Sequence, residues 1–288
     1  MTKVRVMTVS AQDDDERRLT GLNSELRRIA PDIAIIQKIN DPQTGLLERL
    51  VDGTGLQTTH QNELLRYVPP MFETYGGNVI ASRWDHEVVE VFEARYQPAM
   101  NSPWCTLAAV CQIPDAGEML FIGTTGLPYF NAEWAHERQA LQLTDLDARH
   151  RRELPTVIAG DFNAVPESSS IRYLTGLQPL HGQSVLYHDA WRIAGEGPGY
   201  TWGVDNEGFA HRPNQGVRQP NYRIRIDYVF VGSYEAHPEA HAIIESVSLA
   251  FTEPIDEVWP SDHFGVLVDA ELGQDPEAGA ALDRLLTR

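Results

Sequence analysis

The apolar residues of this 288-residue chain fall into short runs, and the length of these runs limits what the chain can form. Ile33 to Ile36 and Val229 to Val231 have the length of single strands. No run approaches the roughly 20 apolar residues that a bilayer-spanning helix needs. The N-terminus also lacks a charged-then-apolar leader. We therefore expect a globular protein of the cytoplasm with no membrane segment.

The first forty residues indicate a β-α-β unit. Val4 to Val9 alternates as a strand does, and the apolar residues from Leu19 to Ile29 follow at helical spacing. Pro31 ends that helix, because proline cannot continue the helical hydrogen-bond pattern. Ile33 to Ile39 then indicates a buried strand.

The rest of the chain adds strands and one long helix, Asn131 to Arg152, with an amphipathic tail helix from Pro276. No linker separates two domains, so residues 1–288 are expected to form a single domain, with residues 272–288 as its C-terminal helix or tail. The pattern predicts an α/β fold in which two mixed sheets pack face to face between helices, a four-layer α-β-β-α sandwich. The expected strands are Gly77 to Ser82, Val88 to Phe92, Cys105 to Ile113, Leu120 to Thr125, Thr156 to Ala159, Arg225 to Val231, His241 to Ala250 and Phe264 to Val268.

Cys105 and Cys111 stand on one expected strand. At about 3.3 Å per residue they lie roughly 20 Å apart, whereas a disulfide needs Cα atoms within about 7 Å of each other. Both are therefore expected to be free thiols.

The formal net charge of -18 bears on possible partners. Nucleic acids and anionic membranes are repelled by such a surface, since phosphate-backbone binding needs clustered Lys and Arg. Simple solubility is the plainer explanation of the charge. Nucleic acid is still not an expected partner, and a small-molecule substrate is.

Polar residues follow the apolar strands in four segments. Their order and spacing over nearly the whole chain resemble the endonuclease/exonuclease/phosphatase superfamily, whose members have a deoxyribonuclease I-like fold. The segments are Gly160-Asp161-Phe162-Asn163, the stretch from Arg225 to Phe230 that contains Asp227, Ser261-Asp262-His263, and the two opening strands that end in Ser10 and Gln37.

The resemblance implies a metal-assisted phosphoester site. Carboxylates at strand ends hold Mg²⁺ in such enzymes, and the ion neutralises phosphate charge and helps to generate a nucleophilic water. By position, Asp161 and Asn163 would orient the water or the phosphate, and Asp262 would be a metal-side carboxylate. His263 would be the acid/base residue, with Asp227 fixing its tautomer.

A structural interpretation stands beside each of these roles. Asp227 and His263 could form a buried pair that only connects two strands, and Asp161 and Asn163 could cap local backbone in a turn. We favour the catalytic interpretation, because the polar motifs should converge on one rim of the sheets.

Four positions depart from the family pattern. Ser10 stands where an Asn usually contacts phosphate, and Lys38 where a Glu is the principal metal ligand. Gly126 replaces a His that contacts the phosphoryl group, and Trp104 falls near a frequent Arg. Together the changes indicate a larger, less phosphate-friendly pocket, lined by Ser10, Trp104, Gly126 and Asn78, although neutral decay of an unused site would look the same.

Lys38 is the change with the largest electrostatic effect. An ammonium in place of a carboxylate shifts the local charge by two units, and two unit charges about 4 Å apart interact by roughly 4 kcal/mol at a surface-like dielectric. Magnesium is therefore expected to bind weakly or not at all, and Lys38 could pair with Asp161 or Asp262 instead. If Lys38 is aligned one residue away from the ligand position, or if its side chain points to solvent, it does not affect metal binding.

Three functions follow from the residues. The first is a divergent family member that performs acid/base chemistry (cyclisation, elimination or hydrolysis) on a small molecule without a cofactor, with Lys38 as an electrostatic catalyst or a base. The second is a magnesium-dependent phosphatase or phosphodiesterase, and the third is a non-catalytic binding protein. We prefer the first, and a nuclease ranks last.

Overall fold

Two mixed six-stranded sheets form the centre of the structure. It is a computed structural model, and it describes residues 1–11, 16–39, 45–65, 76–93, 104–128, 132–206, 208, 221–233, 235–275 and 277. None of the described helices combines the length and the apolar character required to cross a membrane.

The strands and helices of the described residues follow each other in this order. The strands are β1 (Thr2–Ser10), β2 (Ile33–Ile39), β3 (Gln57–His60), β4 (Gly77–Ser82), β5 (His86–Glu93), β6 (Cys105–Ile113), β7 (Gly117–Thr125), β8 (Leu154–Asp161), β9 (Tyr187–Asp189), β10 (Trp202–Gly203), β11 (Arg223–Ile224), β12 (Asp227–Gly232), β13 (Ala240–Ala250) and β14 (Gly265–Gln274). The helices are α1 (Glu16–Ile29), α2 (Leu46–Val51), α3 (Gln61–Leu64), α4 (Glu133–His150), α5 (Ser169–Leu174) and α6 (Ala190–Ala194).

The first sheet has the strand order β13-β14-β1-β2-β4-β3, and the second has the order β5-β6-β7-β8-β12-β9. Each contains one parallel pair joined through a helix, β1 with β2 through α1 and β7 with β8 through α4. The other neighbouring pairs are antiparallel. A separate two-stranded ribbon of β10 and β11 completes the strand pairing.

Alternation along the strands builds the layers. On β2, Ile33 and Ile35 belong to the apolar cluster between the sheets, whereas Ala34 and Ile36 pack with Leu22 of α1 on the outer face. The second sheet packs its outer face against α4 and α5 through residues such as Leu143 and Tyr173. This arrangement confirms the predicted four-layer α-β-β-α sandwich.

Most predicted elements are confirmed, and the bounds agree for Ile33–Ile39, Gly77–Ser82 and Cys105–Ile113. The last strand runs to Gln274, six residues beyond the predicted end at Val268. The short elements α2, β3, α3, β9, α6 and the β10–β11 ribbon were not predicted. The tail helix expected from Pro276 falls outside the described residues, apart from position 277.

The cysteines lie on one strand as predicted, and both are buried free thiols. Burial raises the pKa of the Cys111 thiol to about 12, although Ser82 lowers it by hydrogen bonding. Cys111 is therefore protonated at neutral pH.

The apolar layer between the sheets ends in polar side chains at one edge of the sandwich. Successive side chains alternate across a strand, so the polar residues that continue an inward-facing row also face the other sheet. They are buried like the apolar residues that precede them. The inward-facing polar residues at this edge are Thr8, Ser10, Gln37, Asn78, Thr125, Asp161 and Asp227.

Gly123 marks a close approach of the two sheets, because an added Cβ would lie 2.9 Å from Ile80 Cδ1. Overpacking a dense core costs about 1–3 kcal/mol, so we expect Gly123→Ala to lower the free energy of unfolding in a urea titration by about 1 kcal/mol. Gly21→Ala on α1 is the matched control, since its Cβ would meet Pro260 Cγ at an ordinary 3.5 Å. Alanine favours a helix over glycine by about 1 kcal/mol, so this variant should gain stability. Equal effects of the two substitutions would contradict the packing argument.

At the opposite edge, His237 Nε2 accepts the Thr156 N–H at 3.2 Å, and burial lowers the pKa of this imidazole to about 4. The unfolded chain, with an ordinary pKa near 6.5, binds more protons between about pH 6.5 and 4, so stability falls as the pH drops through this window. We expect a loss of about 2 kcal/mol from this residue. His237→Gln keeps an acceptor without titrating, and urea unfolding between these pH values should show a flatter profile. An unchanged profile would mean that His237 is not the titrating group.

Candidate active site

His263 and Asp227 form a hydrogen-bonded pair at the polar edge, with 3.0 Å between Nδ1 and Oδ2. Their side chains are 4% and 0% exposed. The pair joins the two sheets, because Asp227 begins β12 in the second sheet and His263 precedes β14 in the first. The bond to Asp227 engages Nδ1, and it leaves Nε2 as the nitrogen that can exchange a proton with another molecule.

Thr201 holds the backbone on both sides of this pair. Its hydroxyl accepts the N–H groups of Ile226 and Asp227 at 3.1 and 3.2 Å, and its carbonyl accepts the N–H of Phe264 at 2.7 Å. Because one residue binds both segments, the distance between the imidazole and the carboxylate is fixed by backbone geometry.

Ser261 supports the imidazole from the other side. Its hydroxyl accepts the His263 N–H at 3.0 Å and donates to the carbonyl of Ser10 at the end of β1. The Trp202 ring also packs near His263, with 6.2 Å between the ring centroids. Neither Thr201 nor Trp202 was among the site residues predicted from the sequence. They stand together as Thr201-Trp202-Gly203, well before the segment that begins at Arg225, so no motif adjacent in the sequence marked them.

The surrounding charges set the protonation of His263. Burial lowers the pKa of its imidazole, but the nearby carboxylate of Asp227, with contributions from Asp161 and Asp262, raises it above its ordinary value. The ammonium of Lys38 lowers the same pKa. Both the carboxylates and the ammonium change the pKa of the imidazole, so these groups lie close enough to interact electrostatically.

Asp161 ends β8 and faces the first sheet with two differently engaged oxygens. Oδ1 accepts the N–H of Asn163 at 3.0 Å, and Oδ2 lies 3.3 Å from Lys38 Nζ. Asn163 has a left-handed backbone, with φ of 49°, and its side-chain amide donates to the Gly126 carbonyl at 3.1 Å. The turn chemistry weighed for Asp161 and Asn163 is therefore present, and it leaves one carboxylate oxygen for the site.

Close packing requires glycine at position 126, which the sequence did not reveal. Its N–H donates to the Asp161 carbonyl at 2.7 Å. An added Cβ would overlap the carbonyl oxygen of Phe162 and lie 2.7 Å from its carbonyl carbon. Gly126 therefore does not enlarge the pocket as expected, because Phe162 backbone fills the space where a side chain would begin.

Asn78 also connects the sheets. Its amide donates to the Cys105 carbonyl at 2.8 Å, and its Oδ1 accepts the Thr125 hydroxyl at 2.8 Å. Both polar ends of the side chain are thus engaged within the protein. Trp104, just before β6, is also buried.

Ser10 differs from Asn78, because its polar end is not engaged. Among the residues that the structure describes, its buried Oγ has no hydrogen-bond partner. Buried polar atoms normally have partners, and an exception is explained by strain, by function or by a molecule that the site binds. Of the predicted substrate-binding residues, Ser10 is the one whose side chain keeps a hydrogen-bonding group for a ligand.

The site also has the spacing of a metal centre. Asp161, Asp227 and His263 each offer a ligand atom, and these atoms lie within 4.8 Å of one another. All three groups already have a partner, since His263 Nδ1 and Asp227 Oδ2 are bonded to each other and Asp161 Oδ2 faces the Lys38 ammonium. Mg²⁺ prefers oxygen ligands in a regular octahedron. The distances would allow a metal, but the ammonium beside Asp161 does not suit a divalent cation.

Comparisons with known proteins identify the family of the chain. The family model described as the Endonuclease/Exonuclease/phosphatase family matches residues 10–263, so the chain belongs to that family. No match was found among the curated proteins.

Solved structures of the family share the fold at low sequence identity. Truncated Caenorhabditis elegans TDP2 is 17% identical over 93% of this chain and 97% of its own, with a TM-score of 0.65. D. rerio TDP2, complexed with a single-strand DNA product, is 17% identical over 94% and 100%, with a TM-score of 0.67. An endonuclease/exonuclease/phosphatase from Bacteroides vulgatus is 18% identical over 94% and 100%, with a TM-score of 0.63. The chain therefore has the deoxyribonuclease I-like fold.

We expect Asp227→Asn to lower the pKa of His263, because the substitution removes the carboxylate that favours the imidazolium form. An NMR titration of the imidazole resonances would measure the change. Resonances of the exposed His181, which lies outside the hydrogen-bonded pair, provide the internal control. An unchanged His263 pKa would show that the two groups are not electrostatically coupled.

Proposed function

We propose that this family member is a small-molecule enzyme that performs acid/base chemistry through His263 and does not use catalytic magnesium. The buried hydrogen bond between His263 Nδ1 and Asp227 Oδ2 carries the proposal. A carboxylate that binds one imidazole nitrogen sets the tautomer and stabilises the imidazolium formed when the other nitrogen takes a proton.

The charges of the site favour an uncharged organic substrate. Three buried carboxylates (Asp161, Asp227 and Asp262) act on His263, against the single ammonium of Lys38. A phosphate group would bring additional negative charge close to these carboxylates, and like charges repel strongly where water is excluded. The net charge of -18 adds to the repulsion.

Cyclisation, elimination and hydrolysis are the reactions that suit these residues. Each needs a base to remove a proton and an acid to return one, which one imidazole can do in sequence. Each also develops negative charge on an oxygen of the substrate. Lys38 is close enough to the carboxylate cluster to act on that charge.

Two other functions remain as alternatives. The spacing of Asp161, Asp227 and His263 favours a magnesium-dependent phosphatase or phosphodiesterase acting on a small substrate. In that case these residues would hold the ion, which would supply Lewis-acid activation of a phosphate ester. A binding protein that retains the scaffold without catalysis is the third possibility.

The test is a substrate panel with and without chelator. We expect turnover of uncharged 4-nitrophenyl esters, lactones or β-hydroxyketones in the presence of EDTA. His263→Gln should lower this turnover by about 10²–10⁴-fold, and His181→Ala, on an exposed residue, should not.

The alternatives give different results in the same experiment. Hydrolysis of 4-nitrophenyl phosphate or bis(4-nitrophenyl) phosphate that requires Mg²⁺ and is lost in Asp161→Asn would establish the phosphoesterase. Absence of turnover on every substrate, together with a biological activity that survives His263→Ala, would favour the binding protein.

A further inference from the structure

The geometry points to Lys38 as the resident cation of this site, a catalytic ammonium that stands in place of a divalent metal and stabilises negative charge on the substrate. The inference deepens the proposed function and rests on it for the identity of the reaction. The position of the ammonium does not depend on the reaction. It follows from the backbone conformation, the ion pair and the exposure of Lys38.

The backbone of Lys38 is in a sparsely populated conformation. Its φ is 64°, in the left-handed region that side chains other than glycine rarely adopt. The register between β2 and β4 shifts between Ile36 and Ile39, so Lys38 lies in a bulge. Strained backbone of this kind persists where the surrounding structure holds it, and it concentrates at functional sites.

Gly76, the residue just before β4, packs against the bulge. Its φ is 63°, and a Cβ added there would lie 2.5 Å from the carbonyl carbon of Lys38 and 2.7 Å from the Ile39 carbonyl oxygen. Only a residue without a side chain allows the two backbones to approach this closely.

The bulge changes the direction in which Lys38 points. Ala34 and Ile36, the even-numbered residues before it, face the helices on the outside of the sheet, and regular alternation would place Lys38 on that side as well. Its ammonium instead reaches Asp161 on the other sheet. The left-handed residue therefore reverses one side chain and delivers a positive charge to the edge of the inter-sheet layer.

The ion pair leaves the ammonium available to a ligand. Asp161 is fully buried, whereas the Lys38 side chain is 17% exposed, so Lys38 is the more accessible member of the pair. An ammonium carries three N–H donors, and among the described residues Asp161 Oδ2 accepts one of them. The remaining donors can bind a substrate oxygen that becomes negative during the reaction.

The same position disfavours a divalent cation. A metal bound by Asp161, Asp227 and His263 would sit beside a carboxylate that already has Lys38 as its counter-ion. Charge reversal at this one position should therefore convert a site that repels the ion into one that attracts it.

Calorimetry with Mg²⁺ alone tests the placement of the charge. We expect the unmodified protein to show no measurable binding, and Lys38→Glu to bind Mg²⁺ at least about 10²-fold more tightly, because the substitution reverses the local charge. Lys3→Glu, at a side chain that is 72% exposed, reverses a charge away from the site and should not create binding. Tight binding by the unmodified protein, or none by a folded Lys38→Glu, would overturn the inference.

Turnover in EDTA tests the catalytic role on a substrate found in the panel. Lys38→Met should lower kcat by about 10²–10³-fold, the usual effect of removing a group that stabilises developing negative charge, with KM changed far less. Lys38→Arg keeps the charge and should restore part of the loss. Unchanged kcat in Lys38→Met would refute the role.

The two experiments separate the possible failures. If no substrate in the panel is turned over, the proposed function fails, while the calorimetry still decides whether Lys38 takes the place of the metal. Thermal unfolding of each variant establishes that it is folded, and Lys38→Met provides a second folded variant for calorimetry if Lys38→Glu does not fold. Because Lys38→Met removes the ammonium without adding a carboxylate, it should bind Mg²⁺ more tightly than the unmodified protein and less tightly than Lys38→Glu. No gain in Mg²⁺ affinity in a folded Lys38→Met would contradict the inference.

Discussion

Burial of two apolar sheet faces against each other is the interaction on which the rest of this structure depends. Side chains such as Ile35, Phe121 and Val229 fill the space between the sheets, and this packing brings strand ends that are far apart in sequence to one edge. The polar layer at that edge is a continuation of the same inward-facing rows. Its residues are buried because the sheets are already held together, so the apolar core supplies the low-dielectric surroundings in which their charges act strongly.

Charge balance within this polar layer distinguishes the chain from a simple cluster of acids. A carboxylate that faces an ammonium and another that faces an imidazole are each compensated, and burial of such groups without partners would be very costly. The compensation is supplied by the chain itself through Lys38 and His263. Membership of the family and the fold are established by the match and the shared architecture, while the chemistry depends on these particular side chains.

Strand periodicity made most of the fold predictable, because a buried strand must carry apolar residues in a recognisable run. The elements that the sequence did not predict are short or polar, such as β3 with the sequence QTTH and the two-residue strands β10 and β11. Their conformations depend on contacts with distant residues, which a local pattern does not record. The helix α2 was not predicted because its six residues are too few to show a helical pattern.

The grouping of three candidate residues was predictable from the sequence, but the geometry around them was less so. Strand-end motifs identified Asp161, Asp227 and His263, and the structure brings these three together. Local periodicity could not show that a left-handed residue turns Lys38 towards the opposite sheet, nor that Phe162 backbone closes the space above Gly126. Thr201 was missed because its contribution is made by hydrogen bonds to backbone groups, which leave no charge or metal-ligand signature in a sequence.

The hydrogen bond between His263 and Asp227 and the ion pair between Lys38 and Asp161 both connect one sheet to the other. His263 and Lys38 belong to the side of the first sheet, and Asp227 and Asp161 belong to the second. The separation of the sheets therefore matters to the proposed chemistry as well as to the packing of the core. A volume change deep in the core, far from any reacting atom, would alter both distances at once. If the proposed chemistry is adapted to a new substrate or temperature, apolar residues that never contact the substrate can therefore take part in the change.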